Sequence, residues 1–187
     1  GITLQPKKRK RILRLRPQRD KAPTTTVWDF KNRGDWAVHC GDYRGNWSPY
    51  IPREIIRHYS KRGDLVLDAF VGGGTTLIEC WLLGRHGIGI DISPHAVAYA
   101  RKKISELKQR VRLKDLPKWR AKGSMPIIKI RCGDARDLSF LKDRSVDLVC
   151  THPPYGRAIK YTHGVEGDLS RIENEAEFCK QMEIVAK

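Results

Sequence analysis

Four short apolar runs, each closed by an acidic or proline-rich turn and separated by helical stretches, constrain the fold of this chain more than any other feature. Leu65-Val66-Leu67 ends at Asp68, Ile88-Gly89-Ile90 at Asp91, Ile127 to Arg131 at Gly133-Asp134, and Val146 to Cys150 at Thr151-His152-Pro153-Pro154. Such short continuous runs read as strands, the first of them buried. Thr75 to Leu83 reads as a helix closed by Gly84, and Ser93 as an N-cap with Pro94 behind it. Ala96, Val97, Ala100, Ile104 and Leu107 then fall on one helical face. This β-α-β alternation predicts an α/β fold with a doubly wound, mostly parallel sheet, whose ligands bind at the carboxyl ends of the strands.

The remaining elements are weaker. Pro52 to Tyr59 reads as a short helix with proline in its first turn. Residues 23 to 50, rich in Trp, Gly and Asn, read as an ordered extended segment, and Arg110 to Gly123 as a basic connector. A short helix is expected near Leu138 to Lys142. Ser170-Arg171-Ile172-Glu173 has the form of a capping box that opens a helix running to Lys187.

A chain of 187 residues supports one domain with a substantial core. Its 37 Lys and Arg against 21 Asp and Glu give a formal charge of +16, which favours a polyanionic partner, nucleic acid above all. Much of that charge sits in residues 1 to 22, from Lys7 to Lys21, with Asp20 as the acidic exception. A flexible basic arm that lies along phosphates fits this block, as does a merely solvated tail. The division is therefore an arm over 1–22 and a core over 23–187.

The five cysteines show no CxxC spacing and no histidines at metal-ligand intervals, so no metal site is expected. Cys80 and Cys150 lie inside apolar runs, as small buried hydrophobes do in a reduced, cytoplasmic protein. No apolar run approaches the roughly 20 residues of a membrane span.

The first strand leads into Asp68-Ala69-Phe70-Val71-Gly72-Gly73-Gly74-Thr75-Thr76, a glycine-rich turn and helix start where a ligand can approach the backbone closely. Asp91 follows at about the 20-residue offset at which a carboxylate meets ribose hydroxyls in dinucleotide folds. These two features alone also suit a dehydrogenase. The carboxylate of Asp68 ahead of the turn argues otherwise: it would repel a pyrophosphate and attract a cationic ligand such as S-adenosylmethionine, which carries an ammonium and a sulfonium. Asp134 completes a row of three acids along one sheet edge and is placed to accept from an adenine amino group.

The fourth strand runs into His152-Pro153-Pro154-Tyr155-Gly156. Here the chain resembles the S-adenosylmethionine-dependent amino-methyltransferase family, of the DNA cytosine-N4 and adenine-N6 type, whose members carry an Asp/Asn/Ser-Pro-Pro-aromatic loop at this place. The resemblance covers roughly Asn46 to Tyr161. DAFVGGGT resembles the first cofactor motif, GIDI the second and GDA the third. Asn46-Trp47-Ser48-Pro49-Tyr50-Ile51-Pro52 resembles the segment that in several members contacts the methionine moiety. The resemblance implies cofactor contacts at Trp47, Ser48, Pro49, Tyr50, Asp68, Phe70, Gly72, Gly74, Thr75, Thr76, Asp91, Ile92, Asp134 and Ala135. It implies a catalytic loop of His152, Pro153, Pro154 and Tyr155.

An exocyclic amino nitrogen is a poor nucleophile because its lone pair is delocalised into the ring. Hydrogen-bond acceptors favour the pyramidal form that attacks a methyl group. The resemblance assigns that role to the side chain at 152 and the Pro153 carbonyl, with Tyr155 stacking on an extruded base. The chain departs from the pattern in carrying His152, which accepts only when neutral. Arg157, Lys160, Tyr161 and His163 combine charge with an aromatic ring, which fits contacts to the flipped nucleotide or its flanking phosphates and fits a solvated loop equally.

Three functions fit: a DNA amino-methyltransferase, an RNA enzyme similar to tRNA guanosine-N2 methyltransferases, and a nucleic-acid-binding protein that keeps cofactor affinity without turnover. The Trp-Ser-Pro-Tyr segment favours DNA. The family's sheet has seven strands, whereas this chain supplies four, so an incomplete core is expected, with self-association or a partner chain completing the sheet.

Overall fold

A computed structural model describes residues 14–17, 27–30, 32–111, 125–156 and 159–187. Helix α1 spans Tyr50–Tyr59, strand β1 Leu65–Asp68, α2 Thr75–Leu83, β2 His86–Asp91, α3 Pro94–Arg110, β3 Ile128–Cys132, β4 Leu148–Val149 and α4 Glu175–Ala186. The strands form one parallel sheet in the order β3-β2-β1-β4, the Rossmann-like arrangement expected. The chain steps outward from β1 through β2 to β3 and then returns to the other side of β1. That reversal opens a crevice beyond the carboxyl ends of β1 and β4.

Helix α2 is buried from Thr75 to Leu82, as expected for a helix that is apolar nearly all round. Its Leu77 lies directly on the backbone of β2: a Cβ at Gly87 or Gly89 would come within 2.8 or 2.6 Å of it. Glycine is thus required twice in β2 by this close approach. Gly84 closes α2 at φ 83°. In α3, Ser93 Oγ accepts from Ala96 N, and Ala96, Val97, Ala100, Ile104 and Leu107 are the buried stripe that the sequence predicts.

A buried polar cluster anchors the N-terminal side. Glu79, fully buried on α2, accepts from Trp36 Nε1, and each of its oxygens lies 2.7 Å from a further partner, His39 Nε2 at one and the donating Arg53 Nη1 at the other. Arg85 joins the ends of α1 and α2, donating to the carbonyls of Ile56, Ser60 and Leu83.

Several expectations need correction. No helix forms at Leu138–Lys142: the segment makes a turn in which Leu141 N reaches Leu138 O, while Phe140 packs under the Arg131 guanidinium at 3.9 Å. The fourth strand shrinks to two residues. Ser170 does not cap the C-terminal helix, because its hydroxyl donates to Asp168 and accepts from Tyr161 N, within a 3₁₀ turn over Leu169–Arg171. Asn174 takes over the cap, accepting from Glu177 N at 3.0 Å, and α4 buries none of its residues. Most of the basic arm lies outside the described residues. Where it is described it is docked: Pro17 is buried, Leu15 packs on the core and Arg14 O accepts from Ala37 N. Among the described residues no helix is long and apolar enough to cross a membrane.

Candidate active site

The crevice at the strand reversal spans about 770 Å³ when its open mouth is counted. The tips of β1, β2, β3 and β4 all reach it, with Asp68, Asp91, Asp134 and His152 on its walls. Asp91 and His152 thus share one cavity. Phe70, Gly72, Ile92, Ala135 and Pro154 also line it.

Asp91 organises the glycine-rich turn. Its Oδ2 accepts the backbone N–H of Gly72 and its Oδ1 that of Ser93, both at 2.9 Å. Asp68 is almost wholly buried, and its Oδ1 accepts from Thr151 Oγ at 2.8 Å and from Phe70 N at 3.2 Å. Burial pushes its carboxyl up to about 6 and also raises that of Asp91. Asp134 behaves differently: the Arg136 guanidinium clasps both its oxygens and holds it below the usual carboxylate range. The same guanidinium donates to Gly167 O and to Gln181 on α4, tying the third strand tip to the far wall.

Six predicted contacts lie off the crevice wall and act as supports instead. Ser48 Oγ donates to Arg33 O, Pro49 is the buried N-cap of α1, and Tyr50 stacks on Phe30 at 4.7 Å and 11°. Gly74 is the left-handed N-cap of α2, against Ala100. Thr75 bonds Asn46 and Thr76 is fully buried, so neither lines the crevice. Trp47 does line it, but its indole lies flat on the His152 imidazole, 4.9 Å between centroids and 4° between planes. His152 is half-buried, and burial lowers its basicity. Its Nε2 is hydrogen-bonded to the Tyr155 hydroxyl. Tyr155 itself is exposed and faces a neighbouring cleft with Glu175 and Phe178.

Sequence reasoning missed part of the wall. Tyr43 lies over the glycine turn beside Asn46, the first residue of the expected methionine-contacting segment, so close that a Cβ on Gly73 would sit 3.1 Å from the Tyr43 ring. Thr162, Gly167, Asp168 and Leu169 close the opposite side. Asp168 accepts from the Thr162 and Ser170 hydroxyls and from Ser170 N, which fixes that segment. Tyr161, expected near phosphates, lines the crevice against Gly45, whereas Lys160 and His163 are exposed and Arg157 lies outside the described residues.

The donor set suits a cation. Among the described residues, four aspartates and no lysine or arginine line the crevice, in a chain whose formal charge is +16. Gly72 and Gly73 line the crevice beside Tyr43, so a ligand held there lies against their backbone.

Three relatives share parts of the chain. The type II methyltransferase M.HpaI of Haemophilus parainfluenzae is 47% identical over 88 residues, 44% of this chain and 26% of that protein. The type II methyltransferase M.MjaII of Methanocaldococcus jannaschii is 36% identical over 64 residues, 34% of this chain and 12% of its own. The tRNA (guanine(10)-N2)-dimethyltransferase of Methanothermobacter thermautotrophicus is 34% identical over 115 residues, 61% of this chain and 29% of its own. The chain thus spans less than a third of each. The DNA methylase family matches residues 2–102, and the RMKL-like methyltransferase domain matches residues 57–177, including His152. Both matches contain the glycine-rich turn and Asp91 and both span more than half of the chain, which belongs to the DNA methylase family and shares the RMKL-like methyltransferase domain.

Proposed function

We propose that this chain binds S-adenosylmethionine in the crevice and methylates an exocyclic amino group of a DNA base, cytosine N4 or adenine N6. The carrying observation is the convergence of Asp68, Asp91 and His152 on one acid-lined cavity beside a glycine-rich turn. When bound, S-adenosylmethionine supplies an electrophilic methyl group. The residues of the chain would divide the remaining tasks. Asp91, with one lone pair on each oxygen already fixed by backbone N–H groups, accepts from ribose hydroxyls. Asp68 faces the cationic end, and a positive ligand would draw its raised carboxyl back to the ionised form. Ile92 and Ala135 flank the base of the cofactor. His152 and the Pro153 carbonyl accept hydrogens from the target amino group, and Tyr155 stacks on the extruded target base.

A second reading, methylation of guanosine N2 in RNA, draws support from the tRNA (guanine(10)-N2)-dimethyltransferase relative, which matches a larger share of this chain than the two type II methyltransferases. Transfer of labelled methyl groups separates the readings. Incorporation into duplex DNA supports the first and incorporation into tRNA the second. Cofactor binding without incorporation into either would leave a nucleic-acid-binding protein. Calorimetric titration with S-adenosylmethionine tests the cofactor directly, and absence of binding would overturn both readings.

A further inference from the structure

His152 stands at the boundary between two cavities. Its imidazole lines the acid crevice, with Trp47 stacked on one face, while its Nε2 meets the hydroxyl of Tyr155, whose ring approaches edge-on at 5.0 Å and 78°. Tyr155 is 53% exposed and lines the neighbouring cleft. Among the described residues Nδ1 has no hydrogen-bond partner. The other titratable groups lining the crevice, among the described residues, are Tyr43, Asp68, Asp91, Asp134, Tyr161 and Asp168.

Which nitrogen of a neutral imidazole carries the proton is set by the bond that the other makes. A tyrosine hydroxyl can donate to Nε2 or accept from it. If it donates, the proton sits on Nδ1, and the ring presents a donor to an amino group that is itself a donor. If it accepts, Nδ1 is a free acceptor, and the hydroxyl hydrogen remains available to the solvent that Tyr155 reaches.

Building on the methyl-transfer reading, we propose that Tyr155 holds His152 in the Nε2–H tautomer, leaving Nδ1 to accept the hydrogen of the reacting amino group, and relays the released proton to solvent. As the amino nitrogen's lone pair forms its new bond to the methyl carbon, the carbon–sulfur bond of the sulfonium donor breaks with its electron pair going to sulfur; one N–H bond then breaks, its electron pair stays on nitrogen and the proton bonds to Nδ1. The Nε2 proton then moves to the Tyr155 oxygen while the hydroxyl gives its own proton to water. The ring is left neutral as the Nδ1–H tautomer and resets by exchange with water once the site empties. Burial lowers the basicity of His152, which keeps the ring neutral and accepting at pH 7. Trp47 acts as a positioning residue that fixes the imidazole plane.

This role differs from base stacking, for which a phenylalanine ring would serve equally. Tyr155→Phe is therefore the decisive variant. In protein labelled with ¹⁵N-histidine and free of cofactor, with His152→Asn used to assign the signal, NMR at pH 7.5 should find the His152 proton on Nε2 in the parent. The Phe variant should shift toward the Nδ1–H form. A parent spectrum with the proton on Nδ1 overturns the proposal, whether or not the chain transfers methyl groups. With methylatable DNA under single-turnover conditions, Tyr155→Phe should slow transfer about 10- to 100-fold at pH 7, with S-adenosylmethionine affinity unchanged. Equal rates in the variant and an active parent would overturn the relay and leave the proposed function standing; an inactive parent with the Nε2–H tautomer would count against that function alone.

Discussion

Asp91, at the tip of β2, accepts the backbone N–H of Gly72 at 2.9 Å, so the residue expected to meet the ligand also shapes the turn that cradles it. Asp91→Ala should leave the N–H groups of Gly72 and Ser93 without that partner and destabilise the fold by about 1–3 kcal/mol. S-adenosylmethionine affinity should fall more than about tenfold, equivalent to roughly 1.4 kcal/mol. Calorimetry on the variant at a temperature where it is fully folded checks this, and undiminished affinity would remove Asp91 from the site.

Asp68 should show the opposite balance of stability and binding. Its carboxyl rises from 3.8 to about 6 on burial, so the ionised form is disfavoured in the fold. The sign follows from linkage: the stability of the neutral form is present below the unfolded pKa and is lost as pH rises through the folded value. Asp68→Asn, which imitates the neutral carboxyl, should stabilise the ligand-free protein at pH 7 by up to about 3 kcal/mol, and the gain should vanish below about pH 4. The same variant should bind S-adenosylmethionine more weakly. Thermal unfolding from pH 4 to 8 reads the first effect; a constant difference across that range would contradict it.

The glycine turn offers a third test. A Cβ on Gly73 would stand 3.1 Å from the Tyr43 ring and 3.3 Å from Asn46 Nδ2, and this position does not call for left-handed backbone. Gly73→Ala should therefore displace Tyr43 and weaken cofactor binding several-fold, with less than about 1 kcal/mol lost in stability. A large drop in melting temperature would mean that the turn, and not the ligand space, limits the residue.

Glu79 lies away from the crevice but should dominate stability. Glu79→Gln deprives the buried Arg53 guanidinium of its carboxylate and should cost about 3–5 kcal/mol in urea unfolding. A cost below 1 kcal/mol would show that other partners of Arg53 carry the anchor.

The part of the site legible in the sequence is the part that topology dictates. Asp68, Asp91 and Asp134 each follow an apolar run, and a parallel sheet must bring such strand ends to one edge. The wall of Thr162, Gly167 and Asp168 was illegible, because no periodicity marks it and its place is set by tertiary ties such as Arg136 to Gly167. Ser48, Pro49 and Tyr50 carry the right residue types for ligand contact, yet α1 starts at Tyr50 and commits them to Arg33 and Phe30. The Ser170 cap misled for a related reason. Its hydroxyl is a better local partner for Asp168 than for a helix that begins at Glu175, five residues later.

The lid over the glycine turn comes from residues 36 to 48, which are pinned by Glu79 below and contribute Tyr43, Asn46 and Trp47 above. A fragment engineered to begin at Pro49 would keep the acidic strand tips, the glycine turn and the His-Pro-Pro-Tyr loop and would look intact by motif. It would nonetheless be roofless, with the imidazole of His152 stripped of its indole neighbour. Trimming this protein for crystallisation or transplantation should therefore spare the stretch from Trp36 onward, since motif boundaries and the boundaries of a working pocket do not coincide.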